Sequence, residues 1–177
     1  MGKSGLARPA RLLPAHLAVL ACFAVLAGLP AGARAESLPA PSWELNDLEG
    51  RPRALEEWRG RWVLLKLGTT VCPNCAQELQ ELAGIEDGLR ELGVEVVAIY
   101  LGEDRRTVQR YWAKKKAPYR PVILYDPRGA LVRSYGVSVI PRLFLLDPEG
   151  RIVWDAGYTR GPELLRVAEE HLARDPR

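Results

Sequence analysis

Soft metal ligands and disulfide formers are scarce in this chain, with three cysteines and two histidines among 177 residues. A structural zinc site takes about four such ligands, and a disulfide framework needs several spaced cysteine pairs. Cys22 and His16 also fall in an N-terminal segment with the marks of a leader, which leaves Cys72, Cys75 and His171 for any downstream site. Long apolar runs are missing as well. The longest, residues 17–29, has 13 apolar or small residues, short of the roughly 20 that a spanning helix requires. There is no internal repeat and no low-complexity tract.

The segment before residue 36 reads as a secretory signal. Lys3, Arg8 and Arg11 supply a positive start, residues 17–29 an apolar middle, and Ala33-Arg34-Ala35 an A-x-A cleavage pattern, so cleavage before Glu36 is expected. An uncleaved membrane tether is the alternative. Residues 1–35 hold four Lys or Arg and no acid, so the remaining 142 residues balance 21 bases against 22 acids. That near-neutral balance gives no support to a nucleic-acid partner. The 142 residues suffice for one ordinary core, which defines residues 36–177 as a single expected domain.

Both cysteines of that domain lie in Cys72-Pro73-Asn74-Cys75. Residues 62–67 (WVLLKL) form an apolar run of strand length, Gly68-Thr69-Thr70-Val71 a tight connection, and Leu79, Leu82, Ile85, Leu89 and Leu92 recur at helical spacing until Gly93. The pair therefore sits at a strand-to-helix junction. A helix N-terminus offers unpaired amide N–H groups and a partial positive charge, which favour an anion. Cys72 is thus the expected nucleophile, and Cys75, one turn in and better shielded, the resolving thiol. Pro73 suits the first helical turn, where a missing N–H costs nothing. A purely structural disulfide over so short a loop would restrict the unfolded chain little. Two thiols alone in an exported domain point instead to redox chemistry.

The remaining pattern alternates. Residues 36–42 read as a linker; residues 43–46 and 51–54 flank Asp47-Leu48-Glu49-Gly50 as a small hairpin; residues 55–59 suit one helical turn. Residues 94–101 (VEVVAIYL) are the clearest strand by β-branched content, followed by a helix over 104–116 capped by Asp104 and ended by Pro118. A short strand over 121–125 and a helix over 127–135 precede strands 142–146 and 151–155 around Asp147-Pro148-Glu149-Gly150, and residues 163–174 close the chain as a helix. This order predicts an α/β fold with a mixed central sheet flanked by helices and an N-terminal hairpin.

Three features carry a family resemblance: the C-P-N-C dithiol after a strand, residues 136–147 (GVSVIPRLFLLD) with Gly150, and the leading hairpin. Over about residues 40–175 the chain resembles the thioredoxin-like superfamily, closest to exported TlpA/ResA-like and cytochrome c maturation proteins. The resemblance implies a cis Pro141 packed beside the dithiol. Pro73, Ile140 and Pro141 would then receive an extended substrate, with Ile140 offering backbone groups. Glu78 matches an acid that these branches place near the dithiol, where it could take a proton from a buried thiol or raise its pKa. Lys66 departs from the pattern, since many thioredoxins carry an acid six residues before the first cysteine. A buried ammonium is costly unless paired. Lys66 either reaches Glu78 or the Cys75 thiolate, or packs its stem and sends its head to water; the latter is the expectation.

The implied activity is thiol-disulfide exchange in the periplasm or another exported location. It would need no cofactor beyond the Cys72–Cys75 couple and no metal. Its implied partners are exported proteins with disulfides, such as apocytochrome c, and a membrane thiol-disulfide transporter as electron donor, with the protein a monomer. The family favours the reducing direction, although C-P-x-C pairs occur in oxidants too. Two alternatives stand beside it. Thr69-Thr70-Val71-Cys72 fits part of the P-x-x-x-T-x-x-C signature of a peroxiredoxin-like peroxidase, with Leu65 in the proline position. A Sco-like copper chaperone shares the fold, but would resemble C-x-x-x-C with a distant His.

Overall fold

Strand β4 (Trp62–Gly68) is buried along its whole length, which is why it reads as an unbroken apolar run. It lies at the centre of an eight-stranded sheet in a computed structural model that describes residues 1–2, 37–115 and 119–175. The signal segment, Cys22 and the helix stop at Pro118 lie outside the described residues, apart from Met1 and Gly2.

The strands are β1 (Leu38–Pro39), β2 (Glu44–Asp47), β3 (Pro52–Ala54), β4, β5 (Val94–Leu101), β6 (Val122–Asp126), β7 (Arg142–Leu146) and β8 (Arg151–Ala156). Their spatial order is β1-β8-β7-β4-β5-β6-β2-β3. Strands β4, β5 and β6 run parallel, and the other neighbours pair antiparallel, so the sheet is mixed. The helices are α1 (Pro73–Gly84), α2 (Glu86–Glu91), α3 (Arg105–Lys114), α4 (Ala130–Ser134) and α5 (Gly161–Ala173).

Side chains alternate across the sheet with the two-residue period of a strand. Val63, Leu65 and Leu67 of β4 join Val97, Ile99, Phe144 and Leu146 on one face, beneath Leu131 of α4 and the Trp43–Trp58 pair. Leu64 joins Val96, Leu143 and Leu145 on the other, beneath Leu82 of α1, Leu89 of α2 and Leu164 of α5. Leu79 of α1 and Val108 and Trp112 of α3 cover Ala98 and Tyr100 on that second face. Lys66 follows Leu64 by two residues on β4, and so belongs to the face under α1.

Three stretches differ from the pattern expected from sequence. Residues 36–42 are not merely a linker: Leu38 and Pro39 pair with Ile152 and Arg151, and the Ala40 N–H donates to Gly150 O at 3.0 Å. The Tyr135 hydroxyl fastens the same segment by donating to Pro41 O at 2.9 Å. A two-residue strand containing proline has no periodicity to read; distant pairing creates it. The apolar run over 79–92 is two helices, because Ile85 leaves helical geometry at φ −120°, ψ 11°. Here α5 begins hard against the break: a Cβ on Gly161 would sit 2.9 Å from Glu81 O and 3.0 Å from Ile85 Cγ2. The helix expected over 127–135 is confined to α4, because residues 127–129 form a turn closed by Gly129 at φ 61°, and the Asp126 carboxylate accepts from the Leu131 N–H at 2.9 Å. The single helical turn expected after the hairpin is present, as a 3-10 turn over Leu55–Trp58.

Leu82 ties α1 to the sheet and is 0% exposed. Truncation there removes packing that its neighbours only partly refill. Leu82→Ala should therefore lower the unfolding free energy by about 2–5 kcal/mol, measured as a reduced urea midpoint at unchanged slope.

Candidate dithiol site

Cys72 sits at the N-cap of α1 with extended backbone, and Pro73 takes the first helical position. The cap interaction is made by sulfur: Cys72 Sγ accepts from the Cys75 N–H at 3.1 Å. The helix thereby presents its amino-terminal donors to the thiol expected to be the nucleophile. Cys72 is partly exposed, whereas Cys75 is buried at 1% exposure, and both are free thiols.

The Ile140–Pro141 peptide bond is cis. The loop before β7 lies against Cys72, whose Sγ is 3.9 Å from Ile140 O. Pro141 is buried, Ile140 partly so, and Pro73 exposed. Val71 and Val139, next in sequence to Cys72 and Ile140, are 83% and 68% exposed. Apolar side chains this open beside a reactive thiol suit contact with another chain.

Beneath the thiols lie two ionisable residues that an apolar layer would not ordinarily hold. Glu78 is 0% exposed; its Oε2 accepts from the Thr159 N–H at 3.0 Å, and its Oε1 has no partner. Burial raises its carboxyl to about 7; the Thr159 bond and the charge of Lys66 oppose that rise, and Glu81 adds to it. Lys66 is 1% exposed, so its head does not escape to water, and the snorkelling expectation is wrong. In the middle of β4 its register partners are Ala98 and Leu143, with cover on both sides, and the stem has no route out. Burial pulls the ammonium below its ordinary value; Cys75, Glu78, Cys72 and Glu103 pull the other way. The Cys75 thiol is pushed up to about 12, chiefly by burial and by its contact with Cys72, while a Thr69 backbone bond and Lys66 lower it.

Gly68 makes room for this cluster. A Cβ there would lie 2.7 Å from Cys75 Sγ and 3.3 Å from Lys66 Nζ, a close approach of the kind that glycine at a strand end can signal in sequence. Other contributors left no such signal. Glu103, just past β5, accepts from Thr70 N–H at 2.9 Å and Thr70 Oγ1–H at 2.6 Å, which fixes the loop before Cys72. Thr159 reaches Glu78 from 81 residues away, and Glu81 holds the same distant loop through Gly161 N–H and Tyr158 O–H. Among the described residues, no group of three or more His, Cys, Asp or Glu is placed to hold a metal. No helix among them is long and apolar enough to cross a membrane.

A mixed sheet whose central strand runs into a C-x-x-C helix opposite a cis-proline loop defines a thioredoxin-like protein. Residues 37–155 match the AhpC/TSA family, and the chain belongs to that family. It is 31% identical to the thiol-disulfide oxidoreductase ResA of Geobacillus thermodenitrificans over 113 residues, 64% of each chain. To ResA of Bacillus subtilis it is 32% identical over 118 residues, 67% of this chain and 65% of that protein. The chain thus spans just under two thirds of the length of these two relatives. Among solved structures, the thioredoxin domain of a thiol-disulfide oxidoreductase from Bacteroides vulgatus superposes with a TM-score of 0.67 at 22% identity, covering 79% of this chain and 99% of that one. StoA from Bacillus subtilis does so with a TM-score of 0.60 at 23% identity, over 72% and 96%. These likenesses establish the thioredoxin-like fold.

The raised Glu78 carboxyl has a consequence for stability. A carboxyl whose folded pKa lies above its unfolded value favours folding below the unfolded pKa, and that contribution is lost as pH rises through the folded one. For Glu78 the window runs from the ordinary 4.5 to about 7. Glu78→Gln keeps an acceptor for Thr159 and removes the titration. Its stability relative to the parent should rise across that window and stay level above it, read from urea unfolding at a series of pH values.

Proposed function

We propose that this protein is an exported thiol-disulfide oxidoreductase that reduces disulfides in other exported proteins through Cys72 and Cys75. The observation that carries this reading is the asymmetry of the pair: Cys72 is partly exposed at a helix N-cap beside the cis-proline loop, and Cys75 is buried one turn behind it. The Cys72 thiolate attacks a substrate disulfide, forming a mixed disulfide and releasing one substrate thiolate. Cys75 then attacks Cys72 Sγ, releasing the second substrate thiol and leaving the Cys72–Cys75 disulfide. Shielding of Cys75 favours this order, because an outside disulfide meets Cys72 first.

The open backbone and exposed valines around Cys72 suit an extended polypeptide. Ile140 and Pro141 would receive it along its main chain, beside Pro73 and Val71. Pro141, lacking an N–H, leaves that edge without a ladder donor. The names of the curated relatives support the reaction class, and the family resemblance supports apocytochrome c with a C-x-x-C-H haem motif as a substrate class. The oxidised pair would be reduced again by a membrane thiol-disulfide transporter. Residues 1–35 would direct export to the periplasm or serve as a tether, and the couple itself would be the only redox group.

The direct test is trapping in the full chain carrying Cys22→Ser. Cys75→Ser, mixed with a disulfide-bonded protein, should accumulate a mixed disulfide through Cys72 that dithiothreitol releases, and Cys72→Ser should form none. An adduct that persists in Cys72→Ser, or none in Cys75→Ser, would reject the mechanism; hydrogen-peroxide turnover by Cys75→Ser would favour the peroxidase reading instead.

A further inference from the structure

Resolution of the mixed disulfide demands a thiolate at Cys75, yet Cys75 is buried at 1% exposure, and burial disfavours the anion. Something within the closed layer must take its proton. The titratable groups around the site are Cys72 and Glu78 on α1, Lys66 on β4, Tyr100 on β5 and Glu103 beyond β5. Glu103 is occupied by Thr70. The Tyr100 hydroxyl is held neutral by burial, and its ring lies 5.5 Å from Lys66 Nζ. Cys72 is tied up in the mixed disulfide. Lys66 and Glu78 remain.

The geometry points to Lys66 as the proton acceptor that frees the Cys75 thiolate to resolve the mixed disulfide. This rests on the exchange mechanism proposed above. Lys66 Nζ and Cys75 Sγ converge on the space left by the missing side chain of Gly68, 3.3 and 2.7 Å from the point where a Cβ would stand. Their separation is bounded by the sum of those lengths, close enough for transfer by a small movement of the lysine stem or through one water. Burial disfavours the Lys66 ammonium, and a desolvated lysine amine is a base. Proton transfer from Cys75 to Lys66 creates a thiolate and an ammonium that attract each other in a medium of low dielectric. Transfer to a Glu78 carboxylate would create no such pair, because the acid it forms is neutral.

The step balances. Cys75 gives its proton to the Lys66 amine. The thiolate electron pair forms the Cys72–Cys75 bond, and the bond between Cys72 and substrate breaks with its pair on the substrate sulfur. That sulfur leaves as a thiolate, to be protonated by the Lys66 ammonium or by water. Over both steps the dithiol loses two electrons and the substrate disulfide gains two.

The test uses full-length chain carrying Cys22→Ser, reduced and mixed in single turnover with a chromogenic aromatic disulfide. Two thiolate releases are resolved, the first from attack by Cys72 and the second from resolution by Cys75. With Lys66→Met, the second release should slow about 100-fold near neutral pH and climb about tenfold per pH unit as hydroxide replaces the lysine. The first release should be unchanged. Lys66→Arg, always charged and unable to accept a proton, should still resolve well below the parent rate, and it carries the test alone where the methionine variant does not fold. A second release that matches the parent at every pH, or full rescue by arginine, would overturn the role of Lys66. No first release in the parent would overturn the exchange mechanism itself.

Discussion

Closing helix α1 over the end of β4 takes three titratable groups out of water together: Cys75 and Glu78 from the helix and Lys66 from the strand. Each would be costly there alone. Their mutual proximity makes the burial tolerable, because any charge on one is stabilised by the others or suppressed by a proton shift. The rest of the site depends on that arrangement. Cys72 stays at the surface as the N-cap because the helix must begin where Gly68 lets Cys75 settle against the sheet. The loop after β8 is drawn onto α1 because Glu78 and Glu81 require its backbone donors.

This coupling gives the two cysteines different chemistry from similar sequence surroundings. They stand three residues apart on one helix, yet one meets solvent and the cis-proline loop while the other faces a buried amine. Thiol exchange benefits from such a division, since the outer thiol selects the substrate and the inner one is ionised only when it must act. The outer environment is correspondingly simple: two exposed valines, a proline and a backbone carbonyl. Such an environment suits recognition by shape and main chain rather than by charge.

Much of the architecture was legible because it follows local rules. Strand β4 and the dithiol helix were marked by an apolar run, a glycine-led turn and leucines at helical spacing. The two hairpin turns share Asp-x-Glu-Gly-Arg, and in both the aspartate accepts from the arginine N–H, at 2.9 Å for Asp47 and 2.8 Å for Asp147. What could not be read depends on distant contacts. Pairing of Leu38 with Ile152 follows from tertiary placement, and the break at Ile85 from the arrival of Gly161. Lys66 stands out in the sequence as a base inside an apolar strand, but its surroundings are not legible there. Its exposure is set by Tyr100, α1 and β7, none of which its own segment reveals. The partner of Glu78 is a backbone N–H, and no side-chain pattern announces one.

The most direct test of the account is the reduction potential of the Cys72–Cys75 couple, obtained by thiol trapping of full-length chain carrying Cys22→Ser across a graded dithiothreitol or glutathione series. The account predicts one reversible two-electron transition near the thioredoxin value of about −270 mV. Two thiols that titrate independently, or no reversible couple at all, would contradict it.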